Sequence, residues 1–377
     1  MKLIRTSTVP GSLNNFCRGL LSELKQEGYE VIAVSSPGLA LDEIHEREGV
    51  KTYAVPMERH IAPFRDLKSL WGLIKVFLRE KPTMVHSITP KAGLLSMMAA
   101  WICRVPIRLH TFTGLVFPTA TGLKQKILIA TDRLTCACAT HIIPEGEGVK
   151  HDLEQFRITK KPLKVLGYGN IRGIDIDRFS ANQPDVQAEA QKIRNNDVVT
   201  FIFIGRLVGD KGINELIDAF RRLNLQYPRT RLLLVGRFEH DLDPLKPETL
   251  TEIDRNPSIE AVGQQNDVRP WLAASDVFVF PSYREGFPNV VIEAGAMGLP
   301  SIVTDINGSR EIIVDSRNGI IVPPRQSDEL YQAMQIFVVD KDIKTKLASE
   351  ARQMIVDRFE QSFVRKCLKE YYNEISK

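Results

Sequence analysis

This chain of 377 residues is poor in the features that mark secreted, membrane-spanning or metal-built proteins. It has five cysteines, an odd number at low density, and no pair has the spacing of a zinc site. Cys136 and Cys138 are one residue apart in a segment that reads as helix. Free thiols in a reducing cytoplasm are the expectation. No stretch reaches the roughly 18–20 apolar residues that a membrane-spanning helix needs. The best run, "GLLSMMAAWIC" (Gly93 to Cys103), is short and reads as a buried helix. The opening "MKLIRTSTVPGS" reads as strand and loop rather than as a secretory leader. Low-complexity segments and internal repeats of 20–50 residues are also lacking.

What is present is ordinary globular composition, 43% hydrophobic and 25% charged. The net charge of +4 is uneven: residues 1–170 carry 23 Lys and Arg against 15 Asp and Glu, and the remainder carries 27 against 31. A basic first half suits an anionic partner, whether nucleic acid, phospholipid or a diphosphate, or else reflects ordinary scatter between two domains. Against nucleic acid, there is no helix-turn-helix signal and no basic run interleaved with aromatics.

Short β-branched runs alternate with helical patterns along the whole chain. The runs are "KLIRT", "EVIAVS", "TYAV", "MVHSI", "IRLHTF", "THIIP" and "LKVL" (163–166), then "VVTFIFIG", "RLLLVG", "IEAV", "VFVFP", "SIVT" and "GIIV". Such alternation predicts parallel sheets with helices on both faces. The pattern halts near "GYGNIRGIDIDRFSANQPDVQ" and restarts. The expected class is therefore α/β, with two Rossmann-like doubly wound domains facing a cleft. Residues 1–170 form the first and 171–359 the second. Ligands of such sheets bind beyond the carboxyl ends of the strands, so functional residues should lie in the loops just after them.

Two loops of the second half meet that test. In "VFVFPSYREGFPNVVIEAGAMGLP", Glu285 and Glu293 flank Gly286, Phe287, Pro288 and Asn289. Asn289 reads as the N-cap of a helix whose free N–H groups suit a phosphate, with Val290 in its first turn. Glu293, one turn in, can hold ribose hydroxyls, and Glu285 those of a sugar beyond the phosphate. The alternative is that Glu293 complements a helix start and Glu285 is solvated. In "TFIFIGRLVGDKGINELIDAF", Arg206 and Lys211 follow a strand and suit a departing diphosphate. No His/Cys set suited to a metal accompanies them.

The first half is less specific. Gly11 and Ser12 lie in a turn where a backbone could approach a phosphate, without a GxGxxG pattern. Lys91 and Thr89 follow one strand; His110, Thr113 and Gly114 are near the carboxyl end of another. Histidines in strands are more often satisfied core residues. The segment "PFRDLKSLWGLIKVFLREKP" (63–82) is amphipathic, with an expected core stripe of Leu67, Leu70, Trp71, Ile74, Phe77 and Leu78. Contact with an anionic membrane surface is the other use of such a helix.

The segments "GRLVGDKGINELIDAF", "VGQQNDVRPWLAASDVFVFPSYREGFPNVVIEAGAMGLP" and "NGIIVPP" resemble retaining glycosyltransferases of family 4, which have the GT-B fold. The Glu285-to-Glu293 element is that family's signature. "HSITPKAGLL" and "GIDIDRF" are similar to members that assemble bacterial capsule, O-antigen and lipid-linked glycans. The resemblance implies a nucleotide-sugar donor, a UDP-hexose or UDP-N-acetylhexosamine, as substrate, with no cofactor and no metal. Arg206, Lys211 and the amides near Asn289 and Val290 would hold its diphosphate, Glu293 the ribose, Glu285 the sugar, and the turn at Val262 and Gly263 the base. Lys91, Thr89, His110, Thr113 and Gly114 would lie on the side of a lipid-linked saccharide acceptor. It also implies that a last helix, about 360–377, packs back on the first domain, and that the enzyme is cytoplasmic and peripheral at the inner face of the plasma membrane. The pattern departs from the family where "HTFTG" stands for a His-Gly pair and where Pro10-Gly11-Ser12 stands for a Gly-Gly-acidic loop. A GT-B epimerase or hydrolase, or a non-catalytic nucleotide-sugar binder, would share the donor site. Conversion of donor without acceptor separates the former.

Overall fold

The structure is a computed structural model that describes all residues except 59, 61 and 240–242. It divides into two units, Met1–Arg172 with Val364–Lys377, and Gly173–Phe363. In the first, six strands β1–β6 (Lys2–Thr6, Glu30–Ser35, Lys51–Ala54, Met84–Ile88, Ile107–Phe112, His141–Pro144) pair in the order β3-β2-β1-β4-β5-β6. In the second, β7–β12 (Val199–Ile204, Thr230–Val235, Ile259–Gly263, Val277–Phe280, Ser301–Thr304, Gly319–Val322) pair in the order β12-β11-β10-β7-β8-β9. Every pairing is parallel. The strands are apolar on both faces because helices cover both, as in Phe201, Ile202 and Phe203, all at 0% exposure.

Each sheet reverses its strand order once, between β1 and β4 and between β7 and β10. Crossovers leave to opposite faces there and open a crevice at the carboxyl ends. That topology puts the loops after β7 and β10 side by side.

Two expectations fail. "LKVL" is not a strand: Leu163 makes a lone bridge to Ile142, and Gly167 and Gly169, at φ +56° and +84°, turn the chain away. The helix Pro63–Glu80 does not bury the expected stripe. Leu73, Ile74, Val76 and Phe77 face the core, whereas Leu67, Trp71 and Leu78 are 64%, 58% and 58% exposed. The segment has two apolar faces, and the predicted stripe straddles them.

The last helix, Gln361–Ile375, brings Leu368, Tyr371 and Tyr372 into the core of the first unit. Arg5, 2% exposed on β1, donates to the Tyr372 hydroxyl at 2.6 Å and to His86 Nδ1, and lies 3.4 Å from Cys17 Sγ. Burial holds His86 well below its ordinary pKa, so it stays neutral and accepts from this cation.

Glu80 ties three parts of the first unit together. It accepts from Lys51 Nζ at 2.5 Å, from the Tyr53 hydroxyl and from Lys2 Nζ at 3.3 Å. Lys51 first, then Tyr53, pulls its carboxyl from 4.5 down to about 2. The folded value lies below the unfolded one, so the stabilisation is complete above pH 4.5 and fades as pH falls towards 2. Glu80→Gln is expected to cost about 1–2 kcal/mol at pH 7, the lysines returning to water. The difference should shrink below pH 4.5 and be largely gone by about pH 2, as read by urea unfolding at pH 7 and at the acid limit.

Candidate functional site

The loop after β7 begins at Gly205 and runs through Arg206 to a single 3₁₀ turn, Gly209–Lys211, before the helix Ile213–Gln226. Gly212, at φ +71°, is the hinge between them, and a Cβ there would lie 2.1 Å from the carbonyl oxygen of Pro281. The loops after β7 and β10 thus touch backbone to backbone. Tyr283 N–H donates to Asp210 O at 2.9 Å, and Arg284 pairs with Asp210 at 3.1 Å. The Tyr283 phenol is pushed upward by burial and then by Glu215, and Arg325 lies 4.6 Å over its ring.

Within this pair of loops, Lys211 Nζ donates to Glu285 Oε1; the side chains are 15% and 18% exposed. The Ser282 hydroxyl donates to the same carboxylate oxygen at 2.9 Å, and Ser282 itself is fully buried. Thr304 Oγ1, at the end of β11, donates to Ser282 O. The Lys211 ammonium also stands 5.7 Å from the Phe280 ring centroid. A cation and a carboxylate are therefore held side by side at the strand-order reversal, on braced backbone and largely out of water. Coulomb interactions are stronger there than at a free surface.

Arg206 is placed differently from Lys211. Its guanidinium, 45% exposed, pairs at 2.8 Å with Glu239 of the loop after β8. The structure pairs Lys211 with Glu285 and Arg206 with Glu239.

The helix Asn289–Ala296 follows. Pro288 occupies its N-cap position and no side chain caps it, so Asn289 is the first helical residue rather than the cap. Proline cannot use an N–H and favours extended backbone at this position, which shifts the helix start by one. Glu293 lies one turn in, at 9% exposure. Phe287 is buried edge-on against Phe359 at 5.5 Å. Gly286 has ordinary φ, and Gly308, at φ +74°, approaches it so closely that a Cβ there would meet Gly286 O at 2.4 Å. Ser282, Gly212 and Gly308 are parts of the site that the sequence reading missed. Their signal was a small residue in each loop after a strand.

At the turn expected to hold the base, Gly263 has φ +71° and open space around it. Its carbonyl accepts from Gly236 N–H at 2.9 Å, and the Val262 carbonyl accepts from the Gln265 side chain at 2.8 Å. Both carbonyls of the turn already have protein donors.

In the first unit two candidates fall away as free contacts. Lys91 pairs with Asp66 at 2.5 Å, with only 12% of its side chain exposed, so its charge is already met. His110 is 1% exposed, 2.8 Å from the Ser87 hydroxyl and edge-on to Phe112 at 4.5 Å. Burial brings it down to about 3, a neutral core histidine at physiological pH. Thr89 has φ +71° and binds Thr8 N–H at 3.1 Å through its hydroxyl. Thr113 is half-buried, and Gly114 takes φ +126°. Gly11 is exposed in the first turn of the helix Pro10–Cys17, where a Cβ would touch nothing; Ser12 beside it is half-buried. Among the described residues no group of three or more His, Cys, Asp or Glu is placed to hold a metal.

Residues 198–340 match the family "Glycosyl transferases group 1", and residues 11–169 match the "Glycosyl transferase 4-like domain". The capsular polysaccharide biosynthesis glycosyltransferase CapM of Staphylococcus aureus is 31% identical over 377 residues, covering 100% of this chain and 98% of that protein. The UDP-Gal:alpha-D-GlcNAc-diphosphoundecaprenol alpha-1,3-galactosyltransferase of Escherichia coli is 28% identical over 319 residues, covering 83% of this chain and 81% of its own length. The crystal structure of Anabaena Alr3699/HepE in complex with UDP superposes with a TM-score of 0.82 at 19% identity, covering 99% of this chain and all of that one. At that identity the likeness is one of fold.

Proposed function

Since this chain belongs to the family 4 glycosyltransferases and has their GT-B fold, we propose that it transfers a sugar, with retention and without a metal, from a UDP-hexose or UDP-N-acetylhexosamine to a lipid-linked saccharide in bacterial cell-surface polysaccharide synthesis. The donor reading draws on UDP in the Anabaena structure and UDP-Gal in the name of the Escherichia coli relative. The acceptor reading draws on the diphosphoundecaprenol in that same name, and the pathway reading on the capsular relative. A lipid-linked acceptor resides in a bilayer, so the function includes work at the cytoplasmic face of an anionic membrane.

The observation that carries this reading is the Lys211–Glu285 pair at the reversal between β7 and β10, beside a helix that starts at Asn289 and holds Glu293 one turn in. An incoming diphosphate would take Lys211, Arg206 and the helix-start amides of Asn289 and Val290. Glu293 would accept from the ribose, and Glu285 from hydroxyls of the sugar. The turn at Val262 and Gly263 would flank the base, presenting groups other than its two carbonyls, which Gly236 and Gln265 already occupy. The C1–O bond to the β-phosphate breaks as the acceptor oxygen bonds to C1 on the same face. The acceptor's proton passes to the departing phosphate oxygen, whose growing charge the two cations stabilise.

A thermal-shift series with UDP, GDP, ADP and CMP tests the donor reading. UDP at about a hundred times its Kd stabilises the folded chain by about 2.7 kcal/mol, roughly 5–10 °C. Glu293→Ala is expected to remove most of that shift while leaving the ligand-free Tm within a few degrees. A larger shift with GDP or ADP, or an undiminished UDP shift in the variant, overturns the assignment.

A further inference from the structure

The helices Pro63–Glu80, Pro90–Ile102 and Gly122–Cys138 lie together over one face of the first sheet, packing Phe77, Leu95 and Cys136 inward. Their outward side is unusual in two respects. The first is charge. Residues 63–140 carry eleven Lys and Arg against three acids, whereas residues 1–62 and 141–170 together carry twelve of each. The whole excess of the first half resides in this layer. Its three acids do not offset the surface: Asp66 is paired with Lys91, Glu80 is buried, and Asp132 is half-buried.

The second is exposed apolar area. On the Pro63–Glu80 helix, Phe64 is 90% exposed, Leu67 64%, and Trp71 and Leu78 58% each. Lys68 and Lys75 run beside them, exposed, with the Lys75 ammonium 5.7 Å from the Trp71 ring. At 100° per residue the four apolar side chains occupy one flank of the outward face and the lysines the other. The Gly122–Cys138 helix repeats the pairing with Leu123 at 74% and Ile127 at 40% beside Lys124 and Lys126. A basic flank alone would suit any polyanion. An aromatic and aliphatic flank beside it suits an interface that is anionic outside and apolar within, the boundary of an acidic phospholipid bilayer.

We infer that the outward face of the Pro63–Glu80 helix, extended by the start of the Gly122–Cys138 helix, docks the protein on an anionic bilayer. Phe64, Leu67 and Trp71 enter the headgroup boundary while Lys68 and Lys75 meet lipid phosphates. No helix among the described residues is long and apolar enough to cross a membrane, so the contact is peripheral. The inference names the place of the membrane contact included in the proposed function, but it is supported by this surface alone and is independent of the donor assignment.

The test is co-sedimentation of the full chain with vesicles of phosphatidylcholine alone and with about 30 mol % phosphatidylglycerol. At low salt the anionic vesicles are expected to bind at least about tenfold more protein than the neutral ones, with a blue shift of tryptophan emission. Phe64→Ser with Trp71→Ser, which removes the apolar anchors, should lower binding by about tenfold or more; separately Lys68→Glu with Lys75→Glu should lower it by at least about 30-fold, since each lysine near such a surface contributes about 1 kcal/mol. These positions are exposed, so an unchanged Tm and UDP shift in both variants show that fold and donor site are intact. Equal binding to both vesicles, or undiminished binding by both variants, overturns the inference. So does a dimer in solution that the Phe64/Trp71 variant dissolves while wild-type protein ignores vesicles. The UDP response would stand in each of these cases, which separates this failure from failure of the donor reading.

Discussion

Lys211→Ala is expected to lower kcat for sugar transfer by about 10²–10³-fold, equivalent to roughly 3–4 kcal/mol of transition-state stabilisation. The ammonium lies at the strand-order reversal, 15% exposed, over the Phe280 ring and against Glu285. In so dry a position a charge is screened little. In the proposed reaction the anomeric bond breaks with negative charge flowing onto the diphosphate, so a fixed cation would gain more in the transition state than in the bound ground state. The loss should therefore fall on kcat more than on KM. Lys211→Arg retains charge but not the compact ammonium, and should recover part of the rate. Arg206→Ala is expected to act more weakly, about tenfold, because its guanidinium is more exposed and already engaged by Glu239. Steady-state kinetics with a UDP-sugar series decide the matter. Near-normal transfer by Lys211→Ala would remove Lys211 from the chemistry.

The second large effect concerns backbone rather than charge. Gly212→Ala is expected to destabilise the second unit by about 3–4 kcal/mol and to abolish the UDP-dependent thermal shift. Two terms contribute. A side chain at φ +71° costs about 1 kcal/mol. The added Cβ would also lie 2.1 Å from Pro281 O, a backbone atom that cannot rotate away. Relief requires the loops after β7 and β10 to part, and these loops carry Lys211 and Glu285. Gly263→Ala is the internal control: it has the same φ of +71° with nothing within 4 Å. It should therefore cost only the conformational term, about 1 kcal/mol. Equal losses at the two positions, measured by urea unfolding, would show that the contact of the two loops contributes nothing.

The strands were legible because parallel strands covered on both faces must be continuously apolar, and runs such as "TFIFI" have few other uses. The reversal of strand order is not written in any residue, yet it follows from βα alternation and gives the loops after β7 and β10 their importance. Lys211 and Glu285 were readable as polar residues just past such strands. Their braces were not. Ser282, Gly212 and Gly308 matter through Glu285, Pro281 and Gly286, and a contact between distant loops leaves no local pattern. The Pro63–Glu80 helix was misread for a different reason. A hydrophobic stripe assumes one apolar face, whereas Leu73 and Phe77 answer to the core and Phe64 and Trp71 to solvent. Lys91 and His110 stand out for their place at or just past the carboxyl ends of strands, but Asp66 and Ser87, which occupy them, come from other elements.

The Arg5 cluster gives the chain an order of events. A guanidinium on β1 is buried against a hydroxyl supplied 367 residues further along the chain, at Tyr372. A chain emerging from the ribosome can pair β1 with β2 and β4 early, but Arg5 must wait for the final helix before its pocket closes. The unit begun by β1 is thus not finished until the helix Gln361–Ile375 has been made. Until Tyr372 is in place, Arg5 lacks the hydroxyl that its guanidinium donates to.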